Sequence, residues 1–168
     1  MQTTLTILIL ATLIIISIED YKNMLVSSLY LSLLFILSNL YIYSSSTSLD
    51  ISQNFYFAYT VLGVVVGIEL LATTFMQDIL SRFDDKYKDM VLLGEADYIL
   101  IFTVSAVLNN LTLVLATILL HTIFSFIYDK FINKTENSYT PMFPTTTVSL
   151  AIIYIYSDMI NTITTKQF

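Results

Sequence analysis

Long stretches without one charged residue alternate with short polar connections along this chain. A hydrocarbon core of roughly 30 Å takes about 20 apolar residues when crossed as a helix. In lipid the backbone must satisfy its own hydrogen bonds, which leaves helices and closed barrels as the spanning structures. Met1–Ile18 is free of charge and is followed by Glu19, Asp20 and Lys22. Asn23–Leu49 is the second run, 27 residues long, and ends in the polar string Ser44-Ser45-Ser46-Thr47-Ser48. After Asp50, the run Ile51–Gln77 is interrupted only by Glu69. Tyr98–Tyr128 is the longest, with 31 residues, and Thr145–Thr165 is the last, with Asp158 inside it. The runs are too long for barrel strands and show no two-residue alternation. They predict an all-α integral membrane protein with about five transmembrane helices, over 3–18, 24–43, 55–77, 98–124 and 145–164.

Composition narrows the class further. Charged residues make up 12% of the chain, against about 25% in an ordinary soluble domain, so a charged globular surface is excluded. The net charge of −6 and the absence of a basic stripe argue against nucleic acid as a partner. No Cys is present and His occurs once, which excludes disulfides, thiolate and iron–sulfur ligation, and a multi-histidine metal or haem site within the chain. The first run has no basic flank and no small-residue cleavage pattern, unlike a signal peptide. No repeat and no linker divides the chain, so residues 1–168 are expected to form one helical membrane domain. Its hydrophilic loop, 78–97, lies between the third and fourth helices. With five crossings, Lys22, Arg82, Lys86, Lys88 and Lys166 share one side and Lys130 and Lys134 the other. Five against two places the C-terminal end inside.

A few polar residues stand inside the apolar runs. Glu69 lies about 12 Å from the nearer end of its helix, eight residues at 1.5 Å each, where a carboxylate costs several kcal/mol on insertion scales. It is read as a proton-relay candidate or, equally open, as a neutral Glu bonded to a neighbouring subunit. Thr73, one turn on, is its only nearby donor. Tyr59, Gly63 and Gly67 form one stripe of the third helix, of the small-xxx-small kind that lets another helix approach, and adjacent glycines also permit a hinge or π-bulge. Asn109 and Asn110 are read as mid-membrane amides bonding across helices, and His121 as a residue near an interface. Asp158 is either a partner for a basic group on another subunit or a bend. The acidic segment Asp84–Asp89 is read as a solvated connection. No phosphate loop, nucleophile–base set or metal-ligand cluster appears. The chain alone is therefore expected to bind no cofactor or metal and to carry no redox chemistry. Five small helices with so few polar groups suggest a subunit of a larger assembly, in contact with lipid and with other membrane subunits.

Two stretches resemble a known family. Lys22-Asn23-Met24-Leu25-Val26-Ser27-Ser28-Leu29-Tyr30-Leu31-Ser32-Leu33-Leu34-Phe35 is similar to the opening of the second helix of chain 6 of respiratory complex I, the proton-pumping NADH:ubiquinone oxidoreductase. Tyr59-Thr-Val-Leu-Gly63-Val-Val-Val-Gly67, running on to Thr73-Thr74-Phe75-Met76, resembles that subunit's third helix, although Tyr59 and Gly63 are four apart here and two apart in the family. Gly67-Ile68-Glu69-Leu70-Leu71 also resembles the Gly-Leu-Glu-Leu motif of the smaller chain 4L, whose glutamate belongs to the proton path. The resemblance covers about residues 3–80. It implies a membrane-arm subunit that helps couple quinone reduction to proton translocation. NADH, FMN, iron–sulfur clusters and ubiquinone would be held by other subunits. A composition rich in Ile, Leu, Thr, Ser, Tyr and Phe without Cys or Trp suits an organellar gene and a multi-pass place in the mitochondrial inner membrane. The alternatives are a structural subunit of another energy-transducing complex (cytochrome oxidase or ATP synthase) and an independent small transporter.

Overall fold

The structure, a computed structural model, describes residues 2–23, 25–44, 48–79, 82, 94–131 and 142–165. They form six α-helices and no strand: α1 (Gln2–Asn23), α2 (Ser28–Ser44), α3 (Ser48–Asp78), α4 (Glu95–Leu108), α5 (Leu111–Phe131) and α6 (Met142–Thr165). Three of them, α1, α3 and α5, are long and apolar enough to cross a membrane. The all-helical membrane fold expected from the runs is the fold observed.

The stretch read as one helix over 98–124 is two helices that meet at Asn109 and Asn110. Asn109 adopts the left-handed conformation, φ 41° and ψ 33°, which Asn tolerates better than most residues. It closes α4 as its C-cap, its backbone N–H donating to the Ser105 carbonyl at 2.9 Å. The Asn110 side chain opens α5, its Oδ1 accepting from the backbone N–H groups of Thr112 (2.9 Å) and Leu113 (3.3 Å). One residue ends a helix and the next starts another, a two-sided cap, and the Asn109 amide also bonds across to Asn54 of α3, as expected from the sequence.

Hydrogen bonds fix the directions. Gln2 reaches Tyr41 at one end of the α1–α2 pair, and Glu19 accepts from the Ser27 N–H at the other. Asn109 donates to Asn54 at one end of the α3–α4 pair, and Tyr98 donates to Glu69 at the other. Ser17 meets Thr147 at 2.9 Å, and Asp20 meets Phe143, so α6 runs opposite to α1. Tyr21 at the end of α1 meets Tyr128 near the end of α5, and Phe35 and Ser38 of α2 meet Phe102 and Thr103 of α4 in the same order, so α1, α3 and α5 point one way, and α2, α4 and α6 point back. Gln2, Tyr41, Asn54 and Asn109 mark one end of the bundle; Asp20, Glu69 and Asp97 mark the other.

The core draws Ile9, Leu13 and Ile16 from α1, Leu34 from α2, Leu100 from α4, Val114 from α5 and Leu150 from α6. Between α2 and α4 the packing is close enough for small polar residues. The Ser38 and Thr103 hydroxyls lie 3.0 Å apart, both fully buried, and each also reaches the carbonyl one turn back, at Leu34 and Ile99. Such hydroxyls stay satisfied without water. Among the described residues no buried side-chain polar atom lacks a partner.

Candidate functional site

The Asp20 end of the bundle collects carboxylates from three helices. Glu69 of α3 is buried, 7% exposed. Its Oε1 accepts from the Thr73 hydroxyl at 2.9 Å and its Oε2 from the Tyr98 hydroxyl of α4 at 3.1 Å. Both donors are neutral, an arrangement that holds a carboxyl group in an apolar setting and leaves both of its oxygens engaged. The Thr73 contact is the one the sequence suggested, and Tyr98 is supplied by the fold.

Asp20, in the last turn of α1, is more deeply buried, at 1% exposed. Its Oδ2 accepts the backbone N–H of Phe143 at 3.2 Å. Phe143 is the second residue of α6, so Asp20 sits on the free N–H groups and positive dipole end of that helix, a setting that stabilises a negative charge. Asp97 stands in the polar first turn of α4, before the apolar stretch that starts at Tyr98. Its Oδ2 accepts from the Gly94 N–H at 2.8 Å. Each of the two carboxylates thus engages a backbone N–H at the start of a helix, Asp20 at α6 and Asp97 at α4.

Below these carboxylates lies a cavity of about 240 Å³ with an almost wholly apolar wall. Val65 of α3, Leu100 and Val104 of α4, Val114 and His121 of α5, and Met142 of α6 are among its lining residues. Leu100 is one turn on from Asp97, and Met142 precedes the residue that holds Asp20. A partly open pocket with this lining, which also includes Thr117 and Thr146, suits an apolar group. His121 turns its Nδ1 to the hydroxyls of Thr145 (2.9 Å) and Thr146 (3.0 Å), and its Nε2 lies 3.5 Å from Ser125. Both threonine hydroxyls also reach the Met142 carbonyl. His121 therefore ties α5 to the first turn of α6.

No family model matches the chain, and no curated protein or solved structure is similar to it.

The remaining sequence candidates fall elsewhere. Tyr59 packs its ring on Phe102 of α4, centroids 5.0 Å apart. A Cβ built on Gly63 or Gly67 meets nothing within 4 Å, so the glycine stripe is not used for packing inside this chain, and α3 runs as regular α-helix past both residues. Asn109 and Asn110 form the helix break at the far end of the bundle. Asp158 lies on α6, and its side chain is outside the described residues, as is the segment Asp84–Asp89. Sequence reasoning passed over Asp20 and Asp97 because each borders an apolar run, where a charge needs no special explanation. The readable signal was their position, one directly after the first run and one directly before the longest.

Proposed function

We propose that this chain is a membrane-embedded acid–base hydrolase in which Asp20 and Asp97 act as one unit. The observation that carries the reading is Asp20 itself: a carboxylate 1% exposed, seated on the α6 N-terminus, at the end of the bundle that also holds the half-buried Asp97 of α4. Two carboxylates that share a site can hold one proton between them, and aspartic hydrolases use such a pair to activate water; Asp20 and Asp97 lie at one end of the bundle. Here the Asp20 anion would take a proton from water as its oxygen attacks an amide carbonyl carbon. Protonated Asp97 would give its proton to the carbonyl oxygen, which becomes the tetrahedral hydroxyl. On collapse the proton held by Asp20 passes to the amide nitrogen, the C–N bond breaks, a hydroxyl proton returns to Asp97, and a carboxylic acid and an amine leave. The apolar cavity below the pair suits one side chain of an apolar peptide segment.

The test is cleavage of a library of apolar peptides in detergent micelles, read by mass spectrometry, with the purified full chain. The wild-type chain is expected to cleave. Asp20→Asn and Asp97→Asn are each expected to lose activity by the factor of about 10²–10⁴ that a positioned acid or base contributes, while Glu69→Gln retains it. Unchanged cleavage in both Asp variants, or no cleavage by the wild type, overturns the reading.

A second reading rests on Glu69. A buried carboxyl group held by two hydroxyls suits a proton relay, and with the resemblance of residues 3–80 it supports a membrane-arm subunit of a proton-pumping NADH:ubiquinone oxidoreductase in the mitochondrial inner membrane. Six helices depart from that family's five-helix and three-helix subunits. This reading expects the chain in a large NADH-oxidising band on a native gel, and Glu69→Gln to stop pumping while assembly survives.

A further inference from the structure

We infer that the chain crosses the membrane six times, with the Asp20, Glu69 and Asp97 end on the inner (cytoplasmic or matrix) side and residues 2 and 165 both on the opposite side. This holds whichever carboxylate does the chemistry. The three helices long and apolar enough to span, α1, α3 and α5, all point the same way. A chain that crosses in one direction three times must be carried back between crossings, so α2 and α4 are themselves crossings despite their 17 and 14 residues. Helix α6, antiparallel to α1 beside it, is the sixth. At 1.5 Å per residue α4 rises only about 21 Å, less than the hydrocarbon thickness. The Asn109–Asn110 turn consequently sits a little way in from its face, and there the Asn109 amide is held by Asn54 of α3.

The turn changes the charge count. With the break in place, Lys22, Arg82, Lys86, Lys88, Lys130 and Lys134 all belong to segments that leave or enter helices at the Asp20 end. The other end has Lys166 alone, and the links between α2 and α3 and between α4 and α5 carry no basic residue. The bias of five against two becomes six against one, in short loops, where basic residues set orientation. The C-terminal end moves to the outer side, and the carboxylates open towards the inner one.

The absence of Cys makes the test clean. Single-cysteine variants Ser46→Cys, Lys88→Cys, Asn133→Cys and Gln167→Cys are expressed in a bacterial membrane. Intact and detergent-opened spheroplasts are treated with a membrane-impermeant maleimide. Positions 46 and 167 are expected to label in intact spheroplasts, and positions 88 and 133 only after opening. Labelling of 133 from outside together with protection of 167 restores the five-crossing topology and overturns the inference. The mirror pattern, with 88 and 133 labelled from outside, overturns the sidedness, and partial labelling at every position contradicts a single orientation.

Discussion

The carboxylate of Asp20 accepts the backbone N–H of Phe143 at 3.2 Å, which joins the last turn of α1 to the first turn of α6. The bond engages a buried carboxylate, occupies an N–H that the helix itself cannot use, and fixes Asp20 at the end of the bundle that also holds Asp97. Pro144, the next residue, fits this first turn because its missing N–H has no intrahelical partner there.

The two-sided cap predicts position-specific losses. Asn110→Ala removes the acceptor for the Thr112 and Leu113 N–H groups and should cost about 1 kcal/mol. Asn109→Gly takes the positive φ without strain but gives up the bond to Asn54 and should cost about 0.6 kcal/mol, whereas Asn109→Val loses that bond and also places a β-branched residue at φ 41°, and should cost more. Thermal unfolding in detergent ranks the three.

At the α2–α4 contact, Ser38→Ala removes one of two fully buried hydroxyls 3.0 Å apart. Double-mutant cycles in membrane proteins put such bonds near 0.6 kcal/mol. A loss of about that size is expected, because Thr103 still reaches the Ile99 carbonyl.

Gly63→Ala and Gly67→Ala should leave the isolated chain intact, since a Cβ meets nothing at either place, and should stabilise α3 by about 0.5–1 kcal/mol each. Detergent unfolding of the purified chain measures it. Destabilisation would show that the stripe packs within the fold.

Much of the fold was legible because lipid imposes a length rule that charge-free runs reveal. The run Tyr98–Tyr128 also carried the signal that was misread. At 1.5 Å per residue its 31 residues rise about 46 Å, more than one crossing requires, and Asn109-Asn110 stands a third of the way along. Glu69 was legible as a buried carboxylate because nothing apolar explains it, but Tyr98 was not, since no sequence spacing links α3 to α4. Asp20 and Asp97 were hidden for the opposite reason: charges at the edges of apolar runs are expected there, and only the packing of α1 and α4 against α6 brings both to one end of the bundle.

The most direct test of the account compares Asp20→Asn, Asp97→Asn and the double variant in the same peptide-cleavage assay. Groups that act as one unit are strongly non-additive. The account predicts that each single variant loses nearly all the activity and that the double variant is no worse than either. Independent, multiplying losses, or full activity in either single variant, would contradict it.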